Sequence, residues 1–245
     1  MKLMRVIVIF ALWSCANVAT AQQQPQVPPE VIKRARVLDE VLLTHPKEEV
    51  RQTLRYWIRN DQVWLSFDLH SGAGVMMAPI RNPKGGELRP TLILNAEWLT
   101  SAPLQEKQVA IWKMWTYVNQ FYSGRYPASI FYPIIVLPGG IAPPNDVPLY
   151  FWKEAEAVEA ECELAKELGL TTYNPPMCGP YNERGARGLR EAYAATMAQE
   201  PAFAPYREVL GGLAHSQPPT QKGREHDGKG NGRKGLLPPG RRGDI

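Results

Sequence analysis

The chain has 245 residues, 44% of them apolar, and a formal net charge of +4. The charge is unevenly spread: residues 1–21 carry +2, residues 216–245 carry +4, and residues 22–215 sit at −2. A folded part with no surplus of cations excludes a nucleic-acid groove, because neutralising phosphates needs Lys and Arg clustered on the fold itself.

Lys2 and Arg5 precede an apolar run, Val6 to Trp13, and Ala19-Thr20-Ala21 is a small-x-small cleavage signal. The run is too short to cross a bilayer, which takes roughly 20 residues. This pattern predicts a signal peptide over residues 1–21, cut after Ala21, and a secreted or periplasmic chain with no transmembrane span once mature. A rival reading stays open within it. Leu12-Trp13-Ser14-Cys15-Ala16 resembles a lipobox, in which Cys15 would carry a lipid anchor, although bulky Trp13 fits that pattern badly.

Residues 22–28 read as a loose lead-in, 29–215 as one globular domain and 216–245, with seven Gly and four Pro, as a disordered basic tail. Pro29 opens a helix whose Val31, Ala35, Leu38 and Leu42 recur at helical spacing, and Thr44-His45-Pro46 ends it. A second helix over 47–60 buries Val50, Leu54 and Trp57/Ile58. From Val63 the period becomes two, and strands are expected at 63–70, 75–80 and 88–95, with turns at 71–74 and 82–86. Together they predict a small antiparallel sheet or meander. Residues 104–122 are apolar on nearly every side, as in a buried central helix, with Leu104, Gln108, Ile111, Trp112, Trp115, Val118 and Tyr122 on its broad face. Residues 127–142, interrupted by Pro133 and Pro138, read as an edge strand or a packed loop. A long helix over 149–168 follows, with stripe residues Phe151, Ala155, Val158, Cys162 and Ala165, and Gly169 as its C-cap. Glu156, Glu163 and Glu167 face away from that stripe, and Glu154 and Glu161 lie on its flank. Asn174 to Pro180 reads as a tight loop, and helices are expected at 182–198 and 204–213. The fold class is α+β: mostly helical, with a sheet at about 63–95 packed on the 104–122 and 149–168 helices.

Cleavage after Ala21 leaves two cysteines, Cys162 and Cys178. Eight residues, 170–177, cover the return of roughly 10 Å from the helix end, so a bridge is expected in an oxidising compartment. The alternative is a core thiol at Cys162 and an exposed one at Cys178.

No chemical motif stands out. His45, His70, His215 and His226 lack metal-ligand spacing to one another, to Cys or to a carboxylate. There is no Gly-x-Ser-x-Gly elbow and no dinucleotide fingerprint. No catalytic residue, metal or cofactor is therefore assigned.

The order of elements carries one lead. A strand ending Leu94-Asn95-Ala96-Glu97-Trp98-Leu99 precedes the helix Gln108 to Gln120, and a later helix holds Glu154-Ala155-Glu156-Ala157. Over about residues 90–170 this resembles the core of zincin-type metallopeptidases of the gluzincin kind. In that family the buried helix carries His-Glu-x-x-His and the later helix a zinc-binding Glu. Here the matching positions are Trp112-Lys113-Met114-Trp115-Thr116 or Lys113-Met114-Trp115-Thr116-Tyr117, without His or Glu. Lys113 would put a cation where the metal should sit, and Glu154 alone cannot hold zinc. The resemblance implies a non-catalytic shell whose former cleft, lined by Trp98, Trp112, Lys113, Trp115, Tyr117 and Glu154 along an exposed 92–98 strand, takes a peptide or protein partner. Two alternatives remain: a hydrolase with an unrecognised site, using Asp68, His70 and Glu97, or a structural or assembly factor anchored through Cys15.

Overall fold

A computed structural model of the chain describes residues 28–67, 74–82, 86–131, 136–137, 140–141 and 144–218. The expected signal peptide, Cys15, Asp68, His70 and the tail from residue 219 lie outside the described residues. The observed class is α+β, mostly helical with a small sheet. Contacts divide it into two compact units, Met1–Trp115 and Thr116–Ile245, with the division inside one helix.

In the first unit, α1 (Pro29–Leu43) starts on a proline, which costs nothing where the helix has no N–H to satisfy. Ala35, Leu38, Val41 and Leu42 form its buried stripe. The next helical stretch, 48–59, contains a π-helical segment, Val50–Leu54, before α2 (Arg55–Arg59). Arg55 holds Asp39 of α1 through two bonds of 2.8 and 3.2 Å, which fixes the angle between the two stretches.

The sheet contains β1 (Trp64–Ser66), β2 (Val75–Arg81) and β3 (Leu88–Leu94), in the order β1-β3-β2. The expectation of an antiparallel meander is corrected: β2 and β3 are antiparallel, but β1 runs parallel to β3. Alternating side chains reveal a strand and its buried face, not its neighbour; β1 skips β2 and pairs with the strand after it. The expectation that the 92–98 stretch offers an exposed edge is corrected too. Leu92 and Ile93 of β3 face partners on both sides, and 96–101 is helical.

Two prolines explain the register. Pro79 faces Pro90 across the β2–β3 ladder. The flanking bonds, Asn95 N–H to Gly74 O (2.9 Å) and Asn82 N–H to Glu87 O (2.8 Å), place the hydrogen-bonded pairs at even-numbered residues of β2. The proline pair thus falls where neither residue owes the other a bond. On β2, which is an edge strand, Pro79 points its missing N–H outward and blunts that edge.

Asn95 ends β3 and caps α3 (Ala96–Ser101), accepting from the N–H groups of Glu97 (2.9 Å) and Trp98 (3.0 Å) on its side-chain oxygen. The strand expected to run on to Leu99 thus ends at Leu94. Gly74 gives the Trp98 indole its place, since a Cβ there would lie 2.2 Å from the ring. The helix α4 (Leu104–Tyr122) then begins. Its buried positions include Val109, Ile111, Met114 and Val118, whereas Leu104, expected on the broad apolar face, is exposed.

The second unit takes in the rest of α4, a 3-10 turn (Ala128–Phe131), the short paired strands β4 (Val136–Leu137) and β5 (Gly140–Ile141), and three helices. The strand-or-loop alternative for 127–142 therefore resolves into both. In this unit α5 (Val147–Glu167), α6 (Pro175–Gln199) and α7 (Arg207–Ala214) pack on one another. Asp146 caps α5 by accepting the Leu149 N–H at 3.0 Å. Gly169 ends it with φ +71°, and Leu170 N–H reaches back to Ala165 O at 2.8 Å, a Schellman closure. The tight loop expected at 174–180 is instead the start of α6, with prolines in its first turn where no N–H is needed. Within α6, Gly185 adopts φ +63° and kinks the helix.

Cys162 and Cys178 stand at disulfide distance, sulfurs 2.03 Å and Cα atoms 5.0 Å apart, and tie α5 to the first turn of α6. Both are buried beside Val158 and Leu189, so the exposed thiol of the alternative reading is absent. Among the described residues no helix is long and apolar enough to cross a membrane.

A cross-link over 16 residues stabilises by roughly 3 kcal/mol in the chain-entropy model. Replacing both cysteines by serine is expected to lower unfolding stability by about that amount in urea titrations. Alkylation of the purified protein should label neither cysteine until reductant and denaturant are added; labelling without reductant would refute the bridge.

Candidate functional site

The residues that carry the chemistry of the second unit lie on one face of α5. Tyr150, Lys153 and Glu154 occupy positions i, i+3 and i+4, so their side chains rise together. Tyr117 comes from the last turns of α4 and Tyr193 from α6. Lys153 is 5% exposed, an unusual place for an ammonium group. Its Nζ lies 2.6 Å from Glu154 Oε1 and donates to the Ile130 carbonyl at 3.2 Å. The rings of Tyr150, Tyr117 and Phe131 surround it at 4.7, 5.1 and 5.4 Å, and their negative faces stabilise the cation.

Glu154 is held on both oxygens. Oε1 takes the Lys153 ammonium, and Oε2 accepts the Tyr117 hydroxyl at 2.6 Å. The hydroxyls of Tyr150 and Tyr193 bond each other close by. Burial, reinforced by the Glu154 charge, pushes all three phenols well above their usual range. They are therefore proton donors at neutral pH. The cluster contains a satisfied cation, a satisfied anion and protonated phenols, so it offers neither a free base nor a nucleophile.

A neighbouring pair works the same way. Glu156, expected to face away, forms an ion pair with Arg125 at 2.6 Å and accepts from Gln120 Nε2 at 3.0 Å. Glu161 is buried and accepts the Tyr173 hydroxyl at 2.8 Å. Glu163 and Glu167 are exposed, as expected.

In the first unit the candidates gather around His45. This residue was read as an ordinary helix end, yet it is fully buried. Its Nδ1 accepts the Lys47 N–H at 3.1 Å, which leaves the proton on Nε2 to donate to the Gln108 carbonyl at 2.8 Å. Gln108 Nε2 returns a bond of 2.9 Å to the Thr44 carbonyl. The end of α1 is thereby clamped to α4. Trp112 lies next to this ring at 6.2 Å, stacks on Trp115 at 4.7 Å, and carries the Lys47 ammonium over its face at 5.6 Å. Both tryptophans and Lys113 are half-buried.

Of the expected groove residues, Trp112 and Trp115 meet in the first unit, and Tyr117 meets Glu154 in the second. Trp98 packs on Gly74 within the first unit. Glu97 is exposed, while Asp68 and His70, its suggested partners, lie outside the described residues. Among the described residues no group of three His, Cys, Asp or Glu is placed to hold a metal ion. Lys153 escaped sequence reading because it lies off the apolar stripe. The available signal was its setting, Tyr150-Phe151-Trp152-Lys153, a lone cation after three aromatic residues.

No protein-family model, curated protein or solved structure matches this chain.

Two measurements test the roles of these clusters. Lys153→Met leaves the Glu154 carboxylate without its counter-charge and is expected to cost about 3–5 kcal/mol in denaturant unfolding. Adding Glu154→Gln should recover a large part of that loss, and strictly additive costs would show that the pair is uncoupled. For His45, burial lowers the imidazole pKa below its usual 6.5, so between the two values the unfolded chain binds more protons than the folded one. The stability His45 contributes is therefore complete above about pH 6.5 and is lost as pH falls from there through the lowered value of the folded state. The stability gap between wild type and His45→Gln should narrow from about pH 8 to about pH 5; parallel curves would refute the assignment.

Proposed function

We propose that this protein is an exported, non-catalytic domain on a zincin-like scaffold, and that it binds a peptide or protein partner. The observation that carries the reading is the pairing of Tyr117 with Glu154 at 2.6 Å, with Lys153 on the other carboxylate oxygen. In the 113–117 register, Tyr117 stands at the second imidazole position of the His-Glu-x-x-His helix, and Glu154 stands for the carboxylate of the later helix. The contact between these two positions supports the reading. The groups there are a phenol and a lysine-bound carboxylate. A tyrosine and an engaged glutamate, with no imidazole in the motif, are a poor donor set for zinc.

Export is supported by the charged, apolar and small-residue pattern of residues 1–21 and by two cysteines at disulfide distance. Binding is supported by the stacked, half-buried Trp112 and Trp115, because paired indoles supply large amphipathic contact area at small cost in side-chain entropy.

The test uses the exported protein purified from its own secretion route. Mass spectrometry should find Gln22 at its N-terminus, and metal analysis should find no stoichiometric zinc. Panning a displayed random-peptide library should select ligands whose binding weakens at least tenfold in Trp115→Ala, with circular dichroism unchanged. An intact Met1 would end the export reading. Stoichiometric zinc or peptide cleavage would end the non-catalytic one. Selected peptides that bind Trp112→Ala and Trp115→Ala as well as wild type would end the groove.

A further inference from the structure

Residues 22–215 carry a net charge of −2, yet the middle of α6 is locally positive, with Arg184, Arg187 and Arg190 against Glu183 and Glu191. Arg184 and Arg187 gather there around one carboxylate, Glu191, and Arg190 stands one residue before it in the chain. Arg187 Nε donates to Glu191 Oε1 at 2.9 Å, Arg184 pairs with Oε2, and His215 Nδ1 stands 3.7 Å from Oε1. The hydrogen bond from Arg187 is the main reason the Glu191 pKa falls below the usual carboxylate range. Two guanidiniums thus share one carboxylate, and Arg190 adds a third cation whose charge is felt by Glu159 of α5.

Arg190 is fixed in advance. Its Nε donates to the Ala186 carbonyl at 3.2 Å, its Nη1 to the Ser216 carbonyl at 3.2 Å, and its plane lies over the Trp152 ring at 5.4 Å. Little conformational freedom is left to lose when it meets a ligand. Arg187, Arg190, Ala214 and His215 line a hollow of about 340 Å³. Two guanidinium groups and an imidazole thus face one space from α6 and from the end of α7. Forked N–H donors match the paired oxygens of an oxyanion, and two guanidiniums lining one space favour an anion there.

We propose that this hollow binds a phosphate-sized oxyanion, either free phosphate or the phosphate of an anionic lipid headgroup. Glu191 acts as the resident counter-ion that limits its affinity. The inference stands apart from the peptide-binding reading, since it uses neither the tryptophan stack nor Glu154.

The experiment has two arms, both on the full exported chain. Inorganic phosphate is titrated by calorimetry at low salt, and vesicles containing phosphatidylglycerol are compared with pure phosphatidylcholine by co-sedimentation. Arg187 is 72% exposed on its side chain, so Arg187→Ala leaves the fold intact, which circular dichroism verifies. Saturable phosphate binding, at least tenfold weaker in Arg187→Ala and several-fold tighter in Glu191→Gln, is expected. Phosphatidylglycerol binding that falls in Arg187→Ala, without measurable binding of free phosphate, assigns the source to the headgroup. The proposal is overturned if neither probe binds, or if both bind Arg187→Ala as well as wild type, which would leave the basic tail as the only attraction.

Discussion

A buried ammonium group sets the terms for the second unit. At 5% exposure the Lys153 side chain has given up its water, and other groups must take the place of that water. Glu154, the Ile130 carbonyl and three aromatic rings do so. Each of these comes from a position that the rest of the unit must keep. Glu154 is the next residue on the same helix, Ile130 belongs to the 3-10 turn, and Tyr117 reaches in from α4. An ion pair of this kind adds little net stability over well-packed apolar residues. Its effect is selective, because any packing that separates the pair strands a charge in the interior. The cluster therefore specifies one arrangement of the 3-10 turn and α5 more strongly than it stabilises it.

The first unit reaches the same end with neutral groups. His45 has no carboxylate partner; both ring nitrogens go to the backbone, one accepting from Lys47 and one donating to Gln108. A buried imidazole with this pattern is locked in one tautomer and gains nothing by protonation. The sheet beside it follows an equally local rule. Pro79 and Pro90 share one non-hydrogen-bonded pair, so a one-residue slip would place one of them where a ladder bond is due. The register is thus set by two residues that cannot donate.

Elements with a strong period were legible in the sequence. The α1 stripe, the helix 104–122, the helix ending at Gly169 and the three strand segments all carry repeats that local physics reads directly. The cysteine pair was legible as well, because chain length bounds the separation of its ends. Strand order was not: the pairing of β1 with β3 depends on how residues 67–87 cross over, which no alternation records. The helix at 96–101 was hidden by Leu92 and Leu94, whose strand period ran up to Asn95, although Asn95 is a good cap. The start of α6 was hidden by Pro175 and Pro176, which signal a loop in isolation and a first helical turn in context. At the candidate site, Glu154 could be picked out on the flank of its helix, whereas its partner Lys153 could not. A charged side chain becomes buried through its neighbours, and those neighbours lie up to 40 residues away in the chain.

These placements bear on what the molecule can do. Reactive sites need a group whose proton or electron pair is available at working pH, usually one left partly unsatisfied by its surroundings. In the second unit the half-buried Glu154 is taken up by Lys153 and Tyr117, and the three phenols beside it hold their protons firmly. Solvent-facing charge is arranged differently. On α6 the guanidiniums outnumber the carboxylate they share, so attraction is left over for something outside the fold. The interior cluster is neutral within itself, whereas the α6 cluster meets solvent, so the two differ in how far their fields reach beyond the fold.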